Sequence, residues 1–247
     1  MLGNIVLETP LLVEYLNHTG SKKYKRILKK ITFPYSTNKK QWEAAKQLGL
    51  NNATYERVLP QLLNEGEKDD DLLTLASKSA LKVILTDDPS KKLPYVHYKD
   101  GLINNHIAIN IEANASRDDL KKYLEILCRD AWKVTICDNY FATNWDHNKS
   151  LFYSILPRGN LIIEYADTPA KLNVLLNSKE ITNDFVKSVC PDWSVQITTQ
   201  QKYLGCHDRY LLIEMPGHKV EILLSSGFDH IWRPNPKELT CVFRNVS

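Results

Sequence analysis

Residues 206–229, "CHDRYLLIEMPGHKVEILLSSGFD", place a His-Asp-Arg triplet before an apolar strand, a second strand behind it and a Ser-Ser-Gly turn at the end. His207 and Arg209 are two positions apart, so on a strand their side chains leave the same face, and Asp208 points the other way. Two cationic or titratable groups beside a turn with free N–H groups suit an oxyanion such as phosphate. The stretch therefore predicts an anion site.

The composition is that of an ordinary globular protein. The chain has 247 residues, of which 43% are hydrophobic and 25% are charged, so one large or two small domains with a real core are expected. No apolar run approaches the roughly 18 residues of a membrane-spanning helix, and the first residues lack the basic start of a signal peptide. The five cysteines lack metal-site spacing and are expected to be free thiols, which predicts a reducing, cytoplasmic location.

Residues 1–80 have a helical pattern and an excess of lysine. The segments "QWEAAKQLGL" and "ATYERVLPQLLNEG" resemble a helix-turn-helix in outline, although a plain helical hairpin fits them as well. Lys22, Lys23 and Arg26 belong to a basic stripe that is able to neutralise phosphates, and they are candidate nucleic-acid contacts. The alternative is a solvated helix face.

Residues 81–247 alternate between strand and helix patterns. "ALKVILTD", "YVHYKDG", "HIAINIE", "KVTICDNYF" and "NLIIEYA" are typical of strands, and "SRDDLKKYLEILCRDA" is typical of an amphipathic helix. Strands separated by helices indicate crossover connections, which predicts an α/β region with a mostly parallel, helix-covered sheet.

The carboxyl ends of strands are where open α/β sheets bind ligands. Asp138 and Tyr140 follow the strand "KVTIC" at such an end, whereas His207 stands at the start of its own strand. If the His207 strand runs antiparallel to "KVTIC", then Asp138, His207 and Arg209 share one rim of the sheet. The sequence does not give the direction.

The motif block resembles a known family. "HDRYLLIE" has the H-x-K-x4-D spacing of the phospholipase D superfamily, with Arg209 in place of Lys and Glu214 in place of Asp. The closer resemblance is to the phospholipase D-like domain at the C-terminus of MIT-domain proteins, which also carries His-Asp-Arg, a Gly-x-Asp turn and an Asp-x-Tyr strand end. It covers about residues 105–245.

This resemblance implies a fold and a chemistry. The fold is a phospholipase D-like mixed sheet flanked by helices over residues 81–247, after a small, mainly helical domain at 1–80. The implied activity is that of a metal-independent phosphodiesterase, with a nuclease favoured over an enzyme that acts on lipid. Such an enzyme works through a phosphohistidine intermediate and needs no cofactor. His207 is then the nucleophile, Arg209 clamps the phosphoryl oxygens, and Glu214 or Asp138 orients an imidazole. The turn residues expected to bind phosphate are Ser225, Ser226 and Gly227.

A single motif copy implies a homodimer that supplies the second histidine. Glu214 is one methylene longer than the usual carboxylate, and no Asn follows the turn. These departures leave open a non-catalytic module that binds phosphate groups of phospholipid headgroups or of partner proteins. The basic stripe favours nucleic acid as the partner, and family analogy suggests a bacterial defence-type effector.

Overall fold

The computed structural model describes most of the chain, namely residues 3, 5–31, 35–100, 102–103, 106–166, 180–204 and 206–246. It divides into two compact units, Met1–Ile107 and Ala108–Ser247. The sequence placed the boundary near residue 80, so the first unit extends further along the chain than expected. No helix within the described ranges is both long and apolar enough to cross a membrane.

Within its described residues, the first unit combines five helices with a small parallel sheet. Its helices are α1 (Thr9–Leu16), α2 (Lys22–Lys30), α3 (Lys39–Gln47), α4 (Asn52–Leu62) and α5 (Leu72–Ser77), and its strands are β1 (Ile5–Leu7), β2 (Tyr35–Ser36), β3 (Ile84–Thr86) and β4 (Tyr95–His97). The strand order is β2-β1-β3-β4, with every pair parallel. The expected helices form, but β1 and β2 were missed because strands of three and two residues carry no detectable alternation. The strands predicted at "ALKVILTD" and "YVHYKDG" become β3 and β4, which belong to this sheet and not to the second.

The larger sheet has eight strands in the order β5-β6-β12-β11-β10-β7-β8-β9. These are β5 (Leu102–Ile103), β6 (His106–Ile111), β7 (Lys133–Cys137), β8 (Leu161–Tyr165), β9 (Trp193–Ile197), β10 (Arg209–Met215), β11 (His218–Leu224) and β12 (Leu239–Asn245). The helices of this region are α6 (Asp118–Cys128), α7 (Trp145–Asn148), α8 (Ser150–Ser154) and α9 (Asn183–Val189). Strands β7, β8 and β9 run parallel, whereas β10 is antiparallel to β7 and β11, and β11 is antiparallel to β12. The structure confirms the predicted mixed α/β sheet flanked by helices, although its antiparallel part is larger than the alternation of strands and helices indicated.

The hairpin of β10 and β11 forms the middle of this sheet. Its register runs from Arg209 opposite Leu224 to Met215 opposite His218. Pro216 and Gly217 form the turn, and Gly217 has φ 74°, which only glycine adopts at little cost. Pro followed by Gly is the residue pair that a type II turn favours. The motif strand is thereby held in a fixed register.

One face of the sheet carries the main apolar core of the second unit. Leu120 and Leu124 of α6 and Leu151 of α8 come together with Leu211 and Ile222 around a cavity of only about 10 Å³. The α6 leucines recur at helical spacing, so they all face the sheet. These side chains form an apolar layer between the two helices and strands β10 and β11.

The packing of α6 predicts a contrast between two neighbouring residues. Leu124 is 2% exposed, whereas Glu125 beside it is exposed. Leu124→Ala should lower the free energy of unfolding by about 2–5 kcal/mol, because it removes buried methyl groups and leaves a cavity. Glu125→Ala, the matched control, should stay within about 0.5 kcal/mol of wild type. Urea unfolding followed by circular dichroism measures both, and equal losses would contradict this packing.

Candidate functional site

The pairing of β7 with β10 brings Asp138 and Arg209 together. Tyr210 lies opposite Cys137 in an antiparallel register, so the residue after β7 meets the first residue of β10. Nε of Arg209 lies 3.7 Å from Oδ1 of Asp138. The antiparallel direction, which was the condition for a shared rim, is therefore present.

The Asp138 carboxylate is fully buried and joins separate segments of the chain. Oδ1 accepts a hydrogen bond of 2.9 Å from the N–H of Tyr140, and Oδ2 accepts one of 3.3 Å from the N–H of Phe228. The rings of Phe141 and Phe228 pack edge to face below it, with centroids 5.5 Å apart. The end of β7, the start of β10 and the turn after β11 are thus held by one side chain.

Burial is the main influence on this carboxylate, and it raises the pKa of Asp138 above its usual value. The N–H groups of Tyr140 and Phe228 and the charge of Arg209 act in the opposite direction, while the nearby Asp229 raises the pKa further. Because desolvation disfavours the charged form, the carboxylate depends on these donors and on the guanidinium to remain ionised.

Arg209 presents an open guanidinium at the rim. Its side chain is 26% exposed, and its Nε is buried without a hydrogen-bond acceptor. No acceptor in the described part of the chain takes a hydrogen bond from its terminal nitrogens. Its Cζ lies 5.9 Å from the centre of the Tyr140 ring. A guanidinium that faces a carboxylate through Nε, and whose two terminal nitrogens bind no described acceptor, is suited to hold an oxyanion through two hydrogen bonds.

His207 is exposed and lies just before β10 begins. Its imidazole makes no hydrogen bond to any described residue. Both oxygens of Asp138 bind main-chain N–H groups, so the expected orientation of an imidazole by Asp138 has no counterpart in these contacts. The ring is accessible to a ligand that Arg209 would hold.

Glu214 lies elsewhere, which corrects its expected place in the site. It is five residues beyond Arg209 on the same strand, about 16 Å away, and alternation sends its side chain to the opposite face. It is 3% exposed and forms ion pairs of 2.8 Å with both Lys133 and Lys219. Glu214 therefore anchors the far end of β10, and we exclude it from the site.

The ion pairs of Glu214 predict a dependence of stability on pH. Burial opposes ionisation, but the hydrogen bonds and charges of Lys133 and Lys219 outweigh it, so the pKa of Glu214 lies below its usual value of 4.5. A carboxyl with a lowered folded-state pKa stabilises the fold above its unfolded pKa, and this contribution is lost as the pH falls through the folded value. The difference in unfolding free energy between wild type and Glu214→Gln should be largest near neutral pH and shrink below about pH 4.5.

Urea unfolding at a series of pH values measures this difference. Glu125→Gln, at an exposed position on α6, is the control and should show no such trend. A difference for Glu214→Gln that stays constant with pH, or grows on acidification, would contradict the assignment.

Both hydroxyl oxygens of the turn after β11 bind neighbouring main-chain groups. Oγ of Ser225 accepts the N–H of Thr240 at 2.8 Å, and the hydroxyl of Ser226 donates to the carbonyl of Glu238 at 3.2 Å. Ser226 thus uses its proton within the turn, whereas Ser225 acts only as an acceptor there and keeps its own O–H donor for a ligand. Within the described residues, the N–H groups of Ser226 and Gly227 have no acceptor, so this turn offers two main-chain donors and the Ser225 hydroxyl to a ligand.

Asp229 is a buried residue of this turn to which the sequence assigned no role of its own. Its Oδ2 pairs with Nη1 of Arg233 at 2.9 Å, and Oδ1 lies against Gly227. A Cβ at Gly227 would come within 2.4 Å of that oxygen. The Gly-Phe-Asp order of "SSGFD" was the available signal, because a small residue two positions before a buried Asp leaves room for its carboxylate.

This close approach predicts different effects at two glycines. Gly227→Ala should cost about 1–3 kcal/mol of unfolding free energy, because Asp229 has to move away from its pair with Arg233. Gly159→Ala, where nothing lies within 4 Å of the added Cβ, should be close to neutral. Thermal or urea unfolding compares them, and a tolerated Gly227→Ala would show that the turn is looser than described.

The described residues include no group of three or more His, Cys, Asp and Glu side chains placed to hold a metal ion. Cys137, next to Asp138, is buried, and burial raises its pKa to about 12, so its thiol stays protonated. Among the residues that the structure describes, the groups available to a ligand at the rim are the Arg209 fork, the His207 ring, the Ser225 hydroxyl and main-chain N–H groups.

The three candidate nucleic-acid contacts of the basic stripe, Lys22, Lys23 and Arg26, lie on α2 in the first unit. Ser21 caps this helix by accepting the N–H of Tyr24 at 2.9 Å. Lys23 pairs with Asp87 at 2.6 Å, whereas Lys22 and Arg26 are exposed. One of the three charges is thus already neutralised within the unit, and the other two face solvent.

No protein-family model and no curated protein matches this chain. Among solved structures, yeast tyrosyl-DNA phosphodiesterase is similar with 11% identity and a TM-score of 0.29, covering 55% of this chain and 31% of that chain. A histidine-to-asparagine variant of the same yeast enzyme has 12% identity and a TM-score of 0.31 over the same shares. The match spans about a third of the yeast protein.

Proposed function

We propose that this protein is a metal-independent phosphodiesterase that acts on nucleic acid through a phosphohistidine intermediate. The observation that carries the proposal is the rim at which β7 ends and β10 begins. There Arg209 lies beside the buried Asp138, no described residue accepts a hydrogen bond from its terminal nitrogens, and the exposed His207 stands two residues before it. A fixed cation beside an accessible imidazole is what phosphoryl transfer without a metal requires.

In the first step, a neutral ring nitrogen of His207 attacks phosphorus. A bond forms between nitrogen and phosphorus, the bond to the leaving oxygen breaks, and a second, protonated imidazole gives its proton to that oxygen. In the second step, the now neutral imidazole takes a proton from water, the water oxygen bonds to phosphorus, and the nitrogen–phosphorus bond breaks. Arg209 and the N–H groups of Ser226 and Gly227 hold the non-bridging oxygens throughout.

The second imidazole is assigned to His207 of another copy of the chain. The sequence has one His-Asp-Arg motif, so a homodimer with a two-fold axis near the rim would bring two such rings to one phosphate. Location in the cytoplasm, a role in bacterial defence, membership of the MIT-associated subfamily and contacts of Lys22, Lys23 and Arg26 with nucleic acid stay predictions of the sequence.

A module that binds phosphate groups of lipids or partner proteins without cleaving them is the second candidate. The specific observation in its favour is that no described carboxylate orients the His207 ring. Such a module would bind the phosphate group at the same rim, with Arg209 as the main binding residue.

Cleavage in the presence of excess EDTA tests the proposal. Wild type should cut DNA or RNA oligonucleotides, and His207→Ala and Arg209→Ala should each lower the rate by roughly a thousandfold or more, because one removes the nucleophile and the other the phosphoryl clamp. His147→Ala, a change to a partly exposed histidine on α7, is the control and should keep the wild-type rate.

Cleavage that EDTA abolishes, or that survives His207→Ala, contradicts the mechanism. If dimeric wild type cuts no phosphodiester but binds phosphate in an Arg209-dependent way, the non-catalytic module is the function.

A further inference from the structure

We propose that the ring of Tyr140 is a stacking platform for the base next to the phosphate held by Arg209, and that the site therefore takes single-stranded nucleic acid. This inference rests on the proposed function, since it assigns a substrate class to the same rim. Tyr140 is exposed, its backbone is fixed, and its ring lies beside Arg209.

Tyr140 is unusually exposed for an aromatic residue in the second unit, with 53% of its surface accessible. Within the described residues its ring packs against no other ring, and its hydroxyl makes no hydrogen bond. The next residue, Phe141, is fully buried against Phe152 and Phe228. The chain thus places one ring inside the core and leaves its neighbour at the surface.

The backbone under this exposed ring is held in place. The N–H of Tyr140 donates to Oδ1 of Asp138 at 2.9 Å, and its carbonyl accepts the N–H of Asn144 at 3.1 Å. Because Asp138 is buried and Phe141 is locked in the core, the base of the Tyr140 side chain is fixed with respect to the rim. A preorganised aromatic ring loses little conformational entropy when a ligand stacks on it.

The Tyr140 ring lies where the base of a nucleotide would be if Arg209 held its phosphate. Arg209 Cζ lies 5.9 Å from the centre of the Tyr140 ring, so the open guanidinium and the open aromatic face are neighbours. A phosphate on the guanidinium places the adjoining sugar and base within reach of the ring. Cationic grooves interleaved with aromatic rings are how proteins bind single strands without sequence preference, because every base has a π-face.

The same geometry disfavours two other ligands. The bases of a duplex are already stacked on one another, so they meet an exposed ring only after one of them is flipped out at a cost. A phospholipid headgroup offers a phosphate to Arg209 but no planar ring to Tyr140. The stacking partner therefore distinguishes single-stranded nucleic acid from both.

The binding experiment uses the full-length protein carrying His207→Ala, so that it does not depend on cleavage. Fluorescence anisotropy with a labelled single-stranded oligonucleotide compares this protein with versions that also carry Tyr140→Ala, Tyr140→Phe or Tyr153→Ala. Tyr153 is also 53% exposed, lies on α8 and makes no contact with Arg209, which makes it the matched control. We expect Tyr140→Ala to weaken binding roughly 5- to 150-fold, Tyr140→Phe to restore most of it, and Tyr153→Ala to have little effect.

Abasic substrates make the test specific to stacking. A single strand that lacks the base beside the bound phosphate should bind the His207→Ala protein as weakly as the intact strand binds after Tyr140→Ala. Combining the abasic strand with Tyr140→Ala should cause no further loss, since both changes remove the same contact. In the active protein, Tyr140→Ala should raise KM for single strands and leave kcat nearly unchanged.

Three results would overturn the inference: binding unaffected by Tyr140→Ala, an equal loss from Tyr153→Ala, or additive effects of the abasic site and Tyr140→Ala. Duplex bound as tightly as single strand would also contradict it. Loss of cleavage in every assay, with Tyr140-dependent binding of single strands intact, would reject the phosphodiesterase but keep the platform.

Discussion

The buried carboxylate of Asp138 is the interaction on which the candidate site depends. Two main-chain N–H groups and a guanidinium surround it, and they come from the loop after β7, the turn after β11 and the first residue of β10. Burial alone would favour the neutral acid, so the charge survives only if these partners stay in place. The site is therefore rigid where the carboxylate lies and open where the Arg209 fork emerges.

Strand β10 has opposite electrostatic arrangements at its two ends. At one end, Glu214 is closed off by Lys133 and Lys219, which belong to the strands on either side of β10. At the other end, Arg209 has a carboxylate beside it at 3.7 Å, but its Nε finds no hydrogen-bond acceptor among the described residues. Satisfied ion pairs fix the register of the strand, and the unsatisfied cation is left at the rim, where a ligand is able to reach it. A functional group with unused hydrogen-bonding capacity on a well-packed strand is the pattern expected of a binding site.

Local patterns made much of this arrangement predictable. The α6 helix and strands β7, β10 and β11 have strong periodicity, and all of them form where the sequence placed them. Alternation along β10 was also enough to separate Glu214 from Arg209, since two residues five positions apart on a strand, an odd separation, point to opposite faces. Glu214 was nevertheless included among the site residues, because "HDRYLLIE" has the H-x-K-x4-D spacing.

The direction of the strands and the pairing of distant strands could not be predicted from the sequence. Whether Asp138 meets Arg209 depends on the direction of β10, and nothing local fixes the direction of a strand inside a sheet. The strands β3 and β4 were recognised as strands, yet β3 pairs with β1, about 80 residues away, and β4 pairs with β3, so both were assigned to the wrong unit. Likewise, only the folded turn shows that Ser225 binds β12 and that Ser226 binds the residue before it, and only the packing of Phe141 shows that Tyr140 is left outside.

Identification of the covalent intermediate tests the central claim most directly. Wild-type protein mixed with a single-stranded oligonucleotide is denatured within the first turnovers at alkaline pH, digested with a protease and analysed by mass spectrometry. The account predicts a nucleotidyl adduct on the peptide that contains His207, absent from Arg209→Ala at the same time point because the phosphoryl oxygens are no longer held. Turnover without any adduct on His207, or an adduct on another residue, would contradict it.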